Sequence, residues 1–321
     1  MFKGISVSMV LSIMVLGYTS GSLAQTYPDH PITLVIPMAP GDATDVAGRT
    51  MAEEFGKVLK VPVVPINKPG AATAVGNDFV VKSKKDGYTL LFATAALISS
   101  RVLQPETVPY DLFQDLTPLG LVTQNPFPLV VRSDAPYKNF KEMVEYSKKN
   151  PGKIRCSTMG VGSIGHFAVE IVNMAAGAHI EMVPFKGASP AITALLGGHV
   201  EACAVTIGSL ISHLRSGALK AMVTSVKVSE FPDLRTMKEL GYAQDLLGVW
   251  FSLYAPSGIP SGMRSTLVSA IEKAAKDPSF SSKIANLGMV HDYEAPEKLA
   301  ERMRTEYKII EEIAKKTGMV K

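Results

Sequence analysis

Three stretches of the 321-residue chain combine glycines, small hydroxyl residues and an isolated charge, a mixture suited to gripping an anion rather than breaking a bond. Met159-Gly160-Val161-Gly162-Ser163-Ile164-Gly165-His166 satisfies G-x-G-x-x-G between a predicted strand and a predicted helix, the context of a dinucleotide fingerprint. The acid that would hold the ribose about 20 residues further on is missing. Phe185-Lys186-Gly187 occupies that place, and Glu181 lies at the beginning of the strand instead. What remains is an anion cradle: glycines plus helix N-terminal N–H groups accept a carboxylate as well as a phosphate. Ser163 is placed as the N-cap, with a hydroxyl that can also donate to a ligand. His166, one turn in, either faces the cleft or is satisfied locally on its helix.

The second stretch is Met38-Ala39-Pro40-Gly41-Asp42-Ala43-Thr44-Asp45, again between a strand end and a helix start. Small residues let a ligand approach the backbone, and Asp42, Thr44 and Asp45 can each cap the helix. Caps alone, or caps around a bound anion, both account for it. The third is Pro184-Phe185-Lys186-Gly187-Ala188-Ser189-Pro190. Lys186 either adds a positive charge or stays solvated beside the site, and Gly187 permits close backbone approach.

Bond-breaking chemistry has no matching pattern. Ser163 is preceded by Val161-Gly162, so the G-x-S-x-G nucleophile elbow is absent. His30, His166, His179, His199, His213 and His291 show no metal-ligand spacing with one another or with the cysteines. Cys156 and Cys203 lie in strand runs and read as buried small hydrophobes, with a disulfide between them left open. No catalytic residue, metal or cofactor is expected.

Loops of this kind must be held by strand ends and helix starts, and the chain supplies both. With 46% hydrophobic and 19% charged residues it is globular, not disordered. Lys plus Arg is 33 against 29 for Asp plus Glu, a formal charge of +4 without long basic runs, which disfavours nucleic acid as a partner. Lys3, an apolar Ile5–Leu16 segment and Ser22-Leu23-Ala24 form a secretory signal peptide over residues 1–24, cut after Ala24. Strands at Ile32–Ile36, Val61–Ile66 and Tyr88–Ala93 alternate with helices over Asp45–Leu59 and from Pro69-Gly70 to about Val81. After an irregular stretch, Leu119–Thr123 is extended, and Asn125-Pro126-Phe127-Pro128 serves as a linker. A second alternating series runs from Leu129 to Thr224, with helices at Phe140–Lys149, Ser163–Ala176, Pro190–Leu196 and Ser209–Ser216. Its later strands are Lys153–Thr158, Ile180–Pro184, Val200–Thr206 and Leu219–Thr224. Val249–Tyr254 is a third extended run, and the last helix spans Pro296 to about Lys315. This is an α/β pattern of βαβ units, two lobes each with a mostly parallel sheet flanked by helices, and a ligand cleft between them.

Longer motifs carry a resemblance. They are Ala39-Pro40-Gly41-x-x-Thr44-Asp45, Asn67-Lys68-Pro69-Gly70-Ala71, Asp86-Gly87-Tyr88-Thr89-Leu90-Leu91 and Gly160-x-Gly162-Ser163-x-x-His166. Phe185-Lys186-Gly187-Ala188-x-Pro190-Ala191, Leu195-Leu196-Gly197-Gly198-His199-Val200-Glu201 and Trp250-Phe251-x-Leu253-Tyr254-Ala255-Pro256 follow in order. Together they resemble the extracytoplasmic solute receptors of tripartite tricarboxylate transporters, the TctC-like or Bug family. The resemblance implies a two-lobed periplasmic-binding-protein fold (type II-like), lobe I over 25–126 plus 250–321 and lobe II over 127–249. It implies capture of a small carboxylated solute by a monomer and delivery to membrane permease subunits, or to a sensor kinase, rather than catalysis. By the same resemblance, Ala39 to Asp45 and Met159 to His166 grip carboxylates from opposite lobes, with Lys186, Gly187, Ala188, Thr94 and Thr206 completing the pocket. The family usually has glycine at the position of Asp42 and tyrosine at that of Phe185. Either Asp42 points outward as a cap, or the ligand is less acidic or carries an amine or amide. The rival class is a secreted enzyme or NAD(P)-linked oxidoreductase using the Gly160–Gly165 loop, which an export signal disfavours.

Overall fold

The structure is a computed structural model describing residues 27–320; the expected signal peptide and its cleavage site lie outside the described residues. The β-branched run β1 (Ile32–Ile36) buries its apolar side chains and stops before Pro37, which has no N–H to extend a ladder. Helix α1 (Ala43–Leu59) follows, ending where Lys60 adopts a left-handed conformation at φ 60°. The first lobe continues through β2 (Val63–Asn67), α2 (Ala74–Val81), β3 (Thr89–Thr94), α3 (Ala96–Leu103) and β4 (Leu116–Asn125). Two residues, Pro126 and Phe127, then carry the chain into the second lobe. Its elements are β5 (Pro128–Arg132), α4 (Phe140–Lys149), β6 (Ile154–Thr158), α5 (Ile164–Ala176), β7 (Ile180–Pro184), α6 (Ala188–Leu196), β8 (Ala202–Ala204), α7 (Ile211–Arg215) and β9 (Leu219–Thr224). A long return segment leads to β10 (Val249–Pro256), α8 (Ser261–Ala275), α9 (Pro278–Ala285), β11 (Val290–Glu294) and α10 (Pro296–Lys316) in the first lobe.

The strand orders are β11-β4-β10-β3-β1-β2 and β7-β6-β8-β5-β9. In the first sheet β1 to β4 share a direction and β10 and β11 oppose them. In the second, β6 to β9 share a direction and only β5 opposes them. The antiparallel ladders therefore cluster at the strands that carry the chain between lobes, while helices connect the parallel ones. One apolar core runs along a face of both sheets, from Leu91, Trp250 and Met303 to Leu129, Ile154 and Phe167. The opposite faces are covered separately, by α1, α8 and α9 in one lobe and by α6 and α7 in the other.

Several elements differ from the expectation. The stretch read as irregular contains α3, hidden by the prolines that follow it. β4 is longer than Leu119–Thr123 and passes through Pro118, which sits at an irregularity of the β4–β10 ladder where a missing N–H costs little. The helix expected from Pro69-Gly70 begins only at Ala74, because Ala71, Ala72 and Thr73 all have positive φ. The expected strand Val200–Thr206 is reduced to β8. The cysteine question closes as well. Cys156 pairs with Ala202 across neighbouring parallel strands, so Cys203, one residue on, points to the opposite face. Both thiols are buried and free, in different cores.

Candidate ligand-binding site

In the first lobe the loop after β1 leaves Ala39, Pro40, Gly41, Asp42 and Ala43 exposed and buries Thr44 and Asp45. Asp42 is the N-cap of α1: its carboxylate accepts the Thr44 amide at 2.8 Å. Asp45 is engaged on both oxygens. Oδ2 accepts the Gly41 amide at 2.9 Å, and Oδ1 accepts Arg49 Nε at 2.9 Å and Asn67 Nδ2 at 2.8 Å. Asn67 also donates to the Met38 carbonyl at 3.0 Å and accepts Arg49 Nη2 at 2.7 Å. Burial pushes the Asp45 carboxyl up, but the hydrogen bonds from Arg49, Gly41 and Asn67 outweigh it and hold the group below its usual value. Thr94 closes β3, and its Oγ1 accepts the Ala96 amide at 3.2 Å.

In the second lobe Thr158 Oγ1 accepts the Gly160 amide at 3.3 Å. Ser163 Oγ donates to the Gly160 carbonyl at 2.7 Å and accepts the His166 amide at 3.2 Å, so it is the N-cap of α5. His166 is buried, and its Nδ1 accepts the Gly162 amide at 3.1 Å. Burial lowers its pKa below the usual histidine value. The glycine spacing now has a backbone explanation. Gly160 at φ 119° and Gly162 at φ 76° occupy conformations that favour glycine. At Gly165 a Cβ would lie 2.5 Å from the Ala204 carbonyl oxygen, so α5 can pack this closely on β8 only without one. A turn and a helix–strand contact account for G-x-G-x-x-G without a dinucleotide. Met159 and Val161 are exposed at the loop tip.

The third loop is anchored where the Phe185 amide donates to the Thr158 carbonyl at 2.9 Å. Lys186 is exposed and makes no ion pair among the described residues. Gly187, at φ 117°, is the N-cap of α6 with no side chain to cap it, and Ala188 opens the helix. Thr206 precedes the short turn Ile207–Ser209 without capping it. Thus α1, α5 and α6 all start at the C-terminal ends of parallel strands, each with first-turn amides lacking an intrahelical acceptor. These two loop sets belong to different lobes, and Gly162 reaches the other: a Cβ there would lie 3.0 Å from Leu103 Cδ1 on α3.

Sequence reasoning missed Arg49, Asn67 and Leu103. The Asp45–Arg49 spacing of four was a legible helical pair; the other two depend on distant segments. It also missed a second interlobe region. A cavity of about 1400 Å³, touched by none of the expected site residues, lies between the β11–α10 side of the first lobe and the segment after β9. Its lining includes Gln124, Ser225, His291, Asp292, Arg302 and Glu306. Arg302 donates from Nε to Glu294 Oε2 at 2.9 Å and from Nη2 to Glu294 Oε1 at 2.5 Å, and from Nη1 to Glu306 Oε1 at 3.4 Å. Glu306 Oε2 accepts the Trp250 indole N–H at 2.9 Å, and Gln124 donates to Asp292. Burial pushes the Glu306 carboxyl up to about 7 despite Arg302 and Trp250.

Comparisons with known proteins agree with this architecture. The family model described as the tripartite tricarboxylate transporter family receptor, TctC, matches residues 47–319. Protein BugT of Bordetella pertussis is 36% identical over 239 residues, 73% of this chain and 73% of its own. A ligand-free TctC solute-binding protein from Polaromonas superposes with a TM-score of 0.84 at 28% identity, covering 91% of this chain and all of that one. MatC from Rhodopseudomonas palustris with bound malate gives 0.64 at 27% identity, over 89% of this chain and 99% of its own. A two-lobed fold, helix starts gathered at strand ends and a family match over most of the chain converge: the chain belongs to the TctC family of tripartite tricarboxylate transporter receptors.

Proposed function

We propose that the chain is exported to the periplasm and there captures a small carboxylated solute between its lobes. The solute classes are a di- or tricarboxylate, an aromatic carboxylate or an amino-acid-like molecule. Lobe I (25–126 with 250–321) and lobe II (127–249) close on it, and the loaded receptor delivers it to the permease of a tripartite tricarboxylate-type transporter. One observation carries the reading. The starts of α1, α5 and α6 offer unpaired backbone N–H groups at strand ends of both lobes. A solute with two anionic ends satisfies both sets at once and favours the closed arrangement. The malate held by MatC supports carboxylates as the ligand class.

Ala39 to Asp45 and Met159 to His166 are the proposed gripping loops, with Lys186 to Ala188, Thr94 and Thr206 around them. Within them the roles divide. Backbone amides touch the solute, whereas Asp42, Asp45, Ser163 and His166 are committed to the loops themselves.

The test is thermal unfolding of refolded, ligand-free mature protein with C4–C6 dicarboxylates, citrate, aromatic carboxylates, amino acids, nicotinate and NADPH. A ligand at about 1,000 times its Kd adds roughly 4 kcal/mol, a rise of several degrees in Tm. A shift with one carboxylate class and none with NADPH is expected. A shift with NADPH alone overturns the receptor reading.

A further inference from the structure

The two gripping loops are braced by the same local device made from different chemistry. In each, the third residue of the following helix sends its side chain back four positions to accept a glycine amide. Asp45 accepts from Gly41 and His166 accepts from Gly162. In each, the N-cap side chain, Asp42 or Ser163, binds an amide of the same first turn. The Gly41 and Gly162 amides are thereby fixed, and with them the direction of the first-turn N–H groups. We infer that Asp45 and His166 are positioning residues, not ligand contacts, and that the imidazole makes the second lobe's half of the site acid-sensitive while the first lobe's half is not. The inference rests on the receptor reading above only for its consequence for binding; the brace itself is a property of the ligand-free protein.

The acid sensitivity follows from donor and acceptor roles. With the Gly162 N–H directed at Nδ1, the ring hydrogen of neutral His166 sits on Nε2. Protonation places a second N–H on Nδ1, facing the Gly162 N–H, and the bond is lost. The ionisable groups near the ring are Glu170, on the same helix with Oε1 3.9 Å from Nε2, and beyond it Lys316 of α10, which acts on Glu170. Burial favours neutral imidazole, so the brace persists somewhat below the usual histidine range before failing. The Asp45 carboxylate, paired with Arg49 and Asn67, stays ionised throughout that range.

The experiment has two arms. In the ligand-free mature protein, the NMR shift of the Gly162 amide is followed from pH 8 to 4.5 alongside the His166 ring signals, in wild type and in His166→Asn. The Asn carboxamide oxygen can take the place of Nδ1 as acceptor and does not titrate. The expected result is a Gly162 transition coincident with the His166 titration, absent from His166→Asn, with the Gly41 amide flat in both. A Gly162 amide that ignores the His166 titration overturns the inference. In the second arm, malate binding is measured over the same pH range. Wild-type affinity falls by up to about tenfold per pH unit below the His166 pKa, the limit that linkage to one proton sets, while His166→Asn loses only what protonation of malate itself costs. Equal acid loss in both proteins overturns the positioning role. If malate and the rest of the carboxylate panel fail to bind while Gly162 still follows His166, the receptor reading fails and the brace stands.

Discussion

The two interlobe regions differ in what they are made of. At the ends of β1, β6 and β7 the lobes carry small residues, caps and helix-start amides, and the charged side chains Asp42 and Asp45 are turned to internal bonds. On the side of β11 and α10, the surfaces are charged side chains bonded to one another: Glu294, Arg302 and Glu306, with the indole of Trp250. Trp250 and Gln124 belong to β10 and β4, the strands that carry the chain between lobes. Backbone donors suit a ligand that must arrive and leave, because a helix start keeps its geometry whether occupied or not. The buried ionic cluster ties β10, β11 and α10 of the first lobe to one another, and breaking it leaves charges short of partners. The proposed capture amides and the first lobe's ionic cluster thus share no residue.

The sharpest way to break this division is Arg302→Ala. It leaves Glu306, 5% exposed, with only the Trp250 indole and Glu294, 2% exposed, with only Lys298. A loss of about 3–5 kcal/mol is expected in denaturant unfolding, with the solute class bound by the remaining protein unchanged. The loss should also depend on pH. Glu306 titrates at about 7 in the folded chain against an ordinary 4.5, so between those values the native state holds a proton that the unfolded state has released. That contribution is full below 4.5 and fades as pH rises to 7. Arg302→Ala is therefore more damaging at pH 8 than at pH 5.5. Equal losses at both would mean that Glu306 is not the group left uncompensated.

A smaller effect, of about 1–3 kcal/mol, is expected from Gly165→Ala, which forces α5 away from the Ala204 carbonyl. Here the comparison predicts a second consequence, weakened carboxylate binding, since α5 carries the second lobe's amides. Destabilisation without any change in binding would detach α5 from the site. The smallest effect belongs to Asp42→Gly. Glycine is nearly as good an N-cap, so stability should change by a few tenths of a kcal/mol. Removing an exposed carboxylate beside the α1 amides should strengthen dicarboxylate binding, read by calorimetry. Unchanged affinity across the dicarboxylates would show that the Asp42 carboxylate does not oppose a bound anion.

Much of the site was readable before the fold. Ser163 as an N-cap and the glycine loop between strand and helix follow from residues within four positions of one another, which is the range of capping and turn preferences. Gly165 illustrates the limit. Its spacing invited a dinucleotide, but its reason for being glycine is a carbonyl on β8, 39 positions along the chain. The partners of Asp45 show the same limit: Arg49 lies one helical turn on, but Asn67 arrives from the next strand. α3 was lost among prolines, and the left-handed run Ala71 to Thr73 has no composition that announces it.

The order of strands and helices and the glycines and caps of the candidate loops are properties of local sequence. They depend on side-chain period, backbone freedom and hydrogen bonds spanning one helical turn. Only the tertiary structure decided which helix starts share an edge, that Cys156 and Cys203 face apart, and that Trp250, Arg302 and Glu306 meet at the crossover. Those outcomes depend on strand register and on packing between segments tens of residues apart, where no residue's own preferences name its partner.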